Sequence, residues 1–398
     1  MKKELYIAIP LLLIAGLIST FIIRYSLEQA LPAATPTAQA TIPQHRLSVT
    51  SIPGTTPVSQ PTGVARLAWF YKPPDPTEVD LVVKKAGFYI LTHKDETELG
   101  ELRAKGVTAP VAQYLLAFLI NDPGNCDKDP NGNQVAYKAG DFCQISQMHP
   151  DWFLLDGNGN RIGTSNNSYH MDPGSEGFRA FWLERARELQ ETYGWDNIFL
   201  DNVEASREKM VADNGTLANY PDDASYQKAV EGFLAYIRQN YFEPRNKKIY
   251  ANIVSVDEDD VWKNYLQYVD GVMVESFATD WSDGYRSRDE WDQQMQLVEE
   301  ALAEQKTMIL VAQGKQADQG LENFSFASYL LLANGNAFFR YTNTDSYREL
   351  WLYENYDYDL GIPRGERYKY KDGWRRDFTN GYVIVRPKSH KAEIVLNQ

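Results

Sequence analysis

Cysteine is almost missing from this sequence, with two in 398 residues, Cys126 and Cys143. That count excludes four-thiolate zinc sites, iron–sulfur clusters and a multiply cross-linked scaffold. Histidine is equally scarce, at five, and no two fall at a metal-ligand spacing, so there is no zinc signature. Positive charge is also in deficit: 40 Lys and Arg face 54 Asp and Glu, a formal charge of −14. A chain that neutralises phosphates needs a basic patch, so nucleic acid and polyanionic polymers are excluded as partners, and neutral or cationic substrates fit better. No glycine-rich phosphate loop follows the first apolar run, Val64–Tyr71, which argues against a dinucleotide fold. No cofactor is expected. The segment Asp127, Asp129, Asn131, Gly132 begins like a calcium loop, but Lys138 stands where the bidentate Glu belongs, so no metal is expected either.

What the chain does have is a hydrophobic fraction of 43%, ample for a large core, and many aromatics, with 9 Trp and 25 Tyr. It opens Met1-Lys2-Lys3-Glu4, then runs apolar from Leu5 to Ile23 before Arg24. Such a run approaches the ~20 residues that cross a bilayer, and the preceding lysines favour a cytoplasmic start. Residues 1–31 therefore read as a signal anchor or signal peptide, with Ala38-Gln39-Ala40 as a small-residue cleavage pattern. Residues 32–63, rich in Pro, Thr and Ser, bury too little to fold and read as a disordered linker. The expected location is extracytoplasmic, membrane-anchored or secreted. In that compartment Cys126 and Cys143 are expected to pair, stabilising their loop by ~3 kcal/mol in the chain-entropy model.

From Val64 onward apolar segments of strand length alternate with amphipathic helical ones. Strands are expected to end near Tyr71, His93, Leu119, Asp201, Asn252, Glu275, Val311 and Tyr341, with helices over 77–86, 95–105, 176–193, 224–241, 288–305 and 321–334 and a short one near Asp260. Eight βα units in about 300 residues are what a closed (β/α)8 TIM barrel of the α/β class requires, here over 64–358. A long excursion between Ile120 and Asp172, after the third strand, carries both cysteines and is expected to fold over the mouth of the barrel. Beyond Asp359 short segments separated by Asp372-Gly373 and Asn380-Gly381 predict a small antiparallel β extension over 359–398.

Two of the strands run straight into acids. Asn197-Ile198-Phe199-Leu200-Asp201-Asn202-Val203-Glu204 and Tyr268-Val269-Asp270-Gly271-Val272-Met273-Val274-Glu275 each end in a carboxylate where barrel chemistry takes place. Paired strand-end carboxylates are the equipment of glycoside hydrolysis, so Asp201 and Glu275 are the catalytic candidates. Glu204 is a supporting or capping acid, and Asp172 either caps the following helix or reaches the pocket. Sugars present apolar faces to aromatics and hydroxyls to amides. Trp69, Tyr71, His93, Tyr114, Tyr169, His170, Asn252, Phe277, Trp281 and Tyr341 fall near strand ends, and of these Trp69, Asn252 and Trp281 are the preferred binders, with Tyr71 beside them. The expected partner is a carbohydrate.

The motifs Ile198-Phe199-Leu200-Asp201-Asn202, Met171-Asp172-Pro173, Tyr193-Gly194, Val274-Glu275-Ser276-Phe277 and the tail Trp374-Arg375-Arg376-Asp377-Phe378-Thr379-Asn380-Gly381-Tyr382 resemble hypothetical glycosyl hydrolase family 15 from about Leu67 to the C-terminus. The chain is also similar to the endo-α-1,4-polygalactosaminidases. This resemblance implies a TIM-barrel glycosidase acting on α-linked glycans, with Asp201 as nucleophile or stabilising carboxylate and Glu275 as acid/base. A surface barrel that binds glycan without cleaving it is the rival reading.

Overall fold

The computed structural model describes residues 65–397 apart from 131–132, 212–214, 255–258, 281–283 and 344. The expected anchor and the linker lie outside the described residues. Among those residues no helix is long and apolar enough to cross a membrane.

Eight parallel strands close a barrel among the described residues. They are β1 (Leu67–Phe70), β2 (Ala86–Thr92), β3 (Val111–Leu116), β4 (Asn197–Glu204), β5 (Ile249–Val254), β6 (Gly271–Val274), β7 (Thr307–Gln313) and β8 (Ala337–Thr342), with β8 closing on β1 through Leu67 and Phe339. Successive side chains of a strand point to opposite faces, so each strand feeds two cores. Phe70, Ile90, Ala112, Phe199, Tyr250, Met273, Ile309 and Phe338 point inward and fill the lumen as one buried cluster. The alternate residues, among them Ile198, Leu200, Ile249, Val272 and Leu310, point outward against the helices. Both faces are buried, which is why these strands read as continuous apolar runs.

The helices are α1 (Val79–Lys85), α2 (Glu96–Ala104), α3 (Glu176–Tyr193), α4 (Asp223–Ile237), α5 (Asp259–Leu266), α6 (Arg288–Ala303) and α7 (Gln319–Leu332). Their ends follow local chemistry. Ser175 caps α3 and Gly194 closes it at φ +70°, while Asp222 with Ser225 and Ser287 with Glu290 form capping boxes on α4 and α6. Among the described residues no α-helix follows the eighth strand. A short 3-10 turn, Glu354–Asp357, takes that place and drives Tyr356 against Phe326 and Phe339.

The excursion after β3 carries short elements of its own. Its ends form a two-stranded ribbon, Leu119–Asn121 with Ser168–His170, and Cys126 is bonded to Cys143 as expected. Its helix Asp141–Met148 lies along the flank of α3, where Arg185 holds Asp141 at 2.5 Å and Glu188 holds Lys138 at 2.6 Å. The C-terminal extension is a four-stranded antiparallel sheet, β9 (Tyr368–Tyr370), β10 (Gly373–Asp377), β11 (Gly381–Arg386) and β12 (Lys391–Leu396). It packs on α7, and Arg376 donates to the carbonyls of Leu330 and Ala333 at that helix's C-terminus, where a cation is favoured.

Candidate active site

Asp201, Asn252 and Glu275 meet at the C-terminal mouth of the barrel because each lies two residues beyond an inward-facing lumen residue, Phe199, Tyr250 and Met273 respectively. A bulge adjusts the first of them. Leu200 pairs with Ala251 and Val203 with Ile253, so Asp201 and Asn202 together oppose Asn252, and Asn202 takes the left-handed φ of +55° that asparagine tolerates.

The amide nitrogen of Asn252 donates to Asp201 Oδ1 at 3.0 Å and to Glu275 Oε2 at 2.9 Å. Tyr114 donates its hydroxyl to Asp201 Oδ2, and Tyr347 donates to Glu275 Oε1 at 3.3 Å. Tyr71 completes the wall, its ring edge-on to Tyr114 and to Tyr347, each at 5.1 Å. Burial raises the proton affinity of both carboxylates. For Asp201 the hydrogen bonds from Tyr114, Asn252 and the Asn202 backbone pull against burial. For Glu275 burial acts first and the negative charge of Asp201 adds to it, against bonds from Asn252 and Tyr347. Asp201 thus has three hydrogen bonds that favour its charged form, whereas Glu275 has two and also feels the charge of Asp201. Burial and the two carboxylates push the hydroxyls of Tyr71 and Tyr114 well above the ordinary tyrosine range, so both remain donors.

The structure brings Asp201, Glu275, Asn252 and Tyr71 together and separates other expected binders from them. Trp69 is corrected: it is 2% exposed, packs outward with Val79, Val82 and Tyr89, and donates to the Lys72 carbonyl at 2.7 Å. It is a structural residue of the helix layer. Strand alternation would send Tyr71 outward with it, but Tyr71 takes φ +71° and folds back over the lumen. Asp172 neither caps α3, which Ser175 does, nor bonds either carboxylate. It accepts from Gly174 N, from Asn219 at 3.1 Å and from the Tyr220 hydroxyl. Glu204 is buried and receives Lys209 at 3.2 Å, and the charge of Lys209 favours ionisation of both Asp201 and Glu275. Trp281 lies outside the described residues. Phe277 and Tyr341 are core residues, and His93 bonds Glu96 at 2.7 Å. His170 is half-buried near Lys209, and desolvation followed by that charge lowers its pKa to about 4, so it is neutral.

Tyr347, in the loop after β8, was not among the expected residues. It sits five residues past the strand end, a position with no spacing signal. Among the described residues no group of three or more His, Cys, Asp or Glu side chains is arranged to hold a metal ion.

The family model for hypothetical glycosyl hydrolase family 15 matches residues 123–382, about two-thirds of the chain. This chain belongs to hypothetical glycosyl hydrolase family 15. Membership in family 15 makes it a glycosidase, and the match spans Asp201, Asn252, Glu275 and Tyr347. No curated protein matches the chain. Among solved structures, the glycoside hydrolase domain of PelA from Pseudomonas aeruginosa is 16% identical with a TM-score of 0.47, covering 72% of this chain and 97% of that one. The alpha-amylase of Geobacillus thermoleovorans complexed with acarbose is 10% identical with a TM-score of 0.46, covering 80% of this chain and 85% of that one.

Proposed function

We propose that this family 15 barrel hydrolyses α-linked glycans with retention of anomeric configuration, Asp201 acting as nucleophile and Glu275 as acid/base. The observation that carries the reading is the shared donor. Two oxygens bonded to one amide nitrogen lie at most about 6 Å apart, so the carboxyl groups face each other across one amide; the retaining reading takes them at the ~5 Å spacing and not at the ~6.5–9.5 Å that leaves room for an attacking water. In the first step Asp201 attacks the anomeric carbon as the glycosidic bond breaks, and the Glu275 proton passes to the leaving oxygen. In the second, Glu275 takes a proton from water, whose oxygen displaces Asp201 and regenerates both groups.

The assignment of roles follows the electrostatics, since Asp201 has more donors to stabilise its charge and Glu275 feels that charge. Tyr71 and Tyr347 supply aromatic edges for the sugar. The α-linkage rests on the resemblance to the polygalactosaminidases. The Cys126–Cys143 bond supports an extracytoplasmic site of action, and the apolar run Leu5–Ile23 would hold the enzyme at a membrane unless it is cleaved.

The test is a reducing-end assay over a polysaccharide panel with wild type, Asp201→Asn and Glu275→Gln, the products being read by proton NMR before mutarotation. Loss in both variants with a retained anomer is expected. Unchanged turnover in both removes the site assignment, and an inverted product removes the nucleophile role of Asp201. A wild type that binds glycans but releases no reducing ends would favour the binding barrel.

A further inference from the structure

Arg340 of β8 is buried, and its guanidinium bonds run to backbone carbonyls. Nη1 donates to Phe70 O at 3.4 Å, and Nη2 donates to Tyr347 O at 2.6 Å and Glu349 O at 3.5 Å. Among the described residues no carboxylate pairs with it. Its positive face rests on the rings of Trp69 at 4.2 Å and Phe70 at 4.5 Å. Desolvation lowers its pKa to about 9, so it is still cationic at neutral pH. A buried unpaired charge is costly, and an apolar side chain of that shape would generally stabilise a fold better. A cation at this place therefore calls for a task.

Two of the three carbonyls that Arg340 holds, those of Tyr347 and Glu349, belong to the loop that carries Tyr347, and the third, that of Phe70, ends β1. From that loop the Tyr347 hydroxyl reaches Glu275 Oε1 at 3.3 Å, while its ring packs edge-on against Phe70 at 5.5 Å and Tyr71 at 5.1 Å. The chain of contacts is therefore continuous from Arg340 through Tyr347 to Glu275. We propose that Arg340 is a positioning residue that, through Tyr347, fixes where the Glu275 carboxyl points at the mouth of the barrel. This rests on the reading of Glu275 as acid/base. Trp69 acquires a role here that it lacks as a sugar platform, since it is half of the aromatic seat on which the guanidinium lies.

The charged and titratable groups acting on Glu275 are Asp201 from β4, Lys209 from the short helix Glu208–Val211 after β4 and Tyr347 from the loop after β8. Tyr71 and Tyr114, from β1 and β3, feel its charge in turn. Arg340 itself is faced by Tyr71, Tyr347 and Tyr356. Of these only Tyr347 bonds both ends of the chain, through its carbonyl at one and its hydroxyl at the other.

The experiment follows the Glu275 carboxyl by carbon-13 NMR titration, assigned with Glu275→Gln, in wild type, Arg340→Met, Tyr347→Phe and the double variant. Losing the Tyr347 bond favours the protonated carboxyl, so each single variant is expected to shift the Glu275 titration upward by about half to one pH unit, and the double variant no further. Cleavage of unactivated glycan should fall about tenfold, with its alkaline limb moving the same way, while activated aryl glycosides are cleaved near the wild-type rate. A Glu275 titration unmoved in Arg340→Met, or shifts that add in the double variant, overturns the proposal. Arg340→Lys guards against a folding failure. It keeps the charge without the fork, so a smaller shift in the same direction is expected, and no shift there is equally fatal. Glu275→Gln with full activity would instead remove the acid/base reading, an outcome distinct from these because the coupling is read from the titration alone.

Discussion

Asp201 and Glu275 share a donor: Nδ2 of Asn252 lies 3.0 Å from an oxygen of one and 2.9 Å from an oxygen of the other. Two buried carboxylates this close repel, and the amide between them supplies the positive end of a dipole to each. The distance between the acids is thereby fixed by a residue that need not itself react.

Asn252→Ala should therefore reduce kcat by about 100-fold, because the spacing of the acids relaxes and their mutual repulsion is unopposed. Asn252→Asp should be worse, since it replaces a donor by a third acceptor facing two others. Thermal unfolding should come at a lower Tm in the alanine variant, most clearly where both acids are ionised, because the two hydrogen bonds that oppose their repulsion are gone. Initial rates at saturating substrate check this, and a variant within a fewfold of wild type would show that Asn252 does not set the geometry.

The placement of these three residues was legible in the sequence. Phe199 with Asp201 and Met273 with Glu275 follow the two-residue period of a strand, and an acid after an apolar run is conspicuous. The bulge at Asp201–Asn202 was not legible, because it depends on pairing with β5 rather than on local chemistry. Trp69 and Tyr71 have the same parity and looked alike as binders. A backbone turn at φ +71°, which nothing in tyrosine favours, sends one over the mouth and leaves the other in the helix layer. Tyr347 and Arg340 carried no signal, since the first lies in an irregular loop and the second interrupts an apolar strand without any partner adjacent in sequence. The eight-strand rhythm was legible throughout, while the 3-10 turn Glu354–Asp357 after the eighth strand gave no signal.

Glu322, in the first turn of α7, offers a test of stability away from the site. It is buried, with Asn355 donating to its two oxygens at 3.4 and 3.1 Å, and burial pushes its pKa from 4.5 up to about 7. The unfolded chain releases this proton near pH 4.5 while the native state keeps it until about pH 7, so the native state loses stability as pH rises through that window. Glu322→Gln does not titrate. It should match wild type near pH 4.5 and exceed it by up to ~3 kcal/mol above pH 7, seen as a higher Tm at pH 8 only. A Tm difference independent of pH would contradict the linkage.

The disulfide closes a separation of 17 residues within the excursion after β3. Cys126→Ser/Cys143→Ser should cost up to ~3 kcal/mol in the chain-entropy model. Because Arg185 and Glu188 still hold the helix Asp141–Met148 on α3, the loss should be local. Hydrogen exchange should quicken over residues 122–147 while the barrel strands keep their protection. Protection lost equally in β1 to β8 would mean that the excursion is part of the folding unit of the barrel.

The last prediction concerns the proton on Glu275. Burial and the charge of Asp201 both favour its protonated form, against hydrogen bonds from Asn252 and Tyr347. A general acid works only while it holds its proton, so the rate on unactivated glycan should fall on the alkaline side as Glu275 ionises, at a pH above the usual glutamate range. Glu275→Gln cannot donate a proton. It should lose more than about 100-fold on a natural glycosidic bond, whose leaving oxygen needs one, and should lack the alkaline limb in what remains. On an aryl glycoside with a nitrophenyl leaving group that need disappears, and the first step should proceed close to the wild-type rate. Asp201→Asn should fail on both substrates, since attack at the anomeric carbon is required whatever leaves. The reverse pattern, with Asp201→Asn rescued by the aryl leaving group and Glu275→Gln inactive on everything, would exchange the two roles, because only the acid is made dispensable by a leaving group that departs as a stable anion.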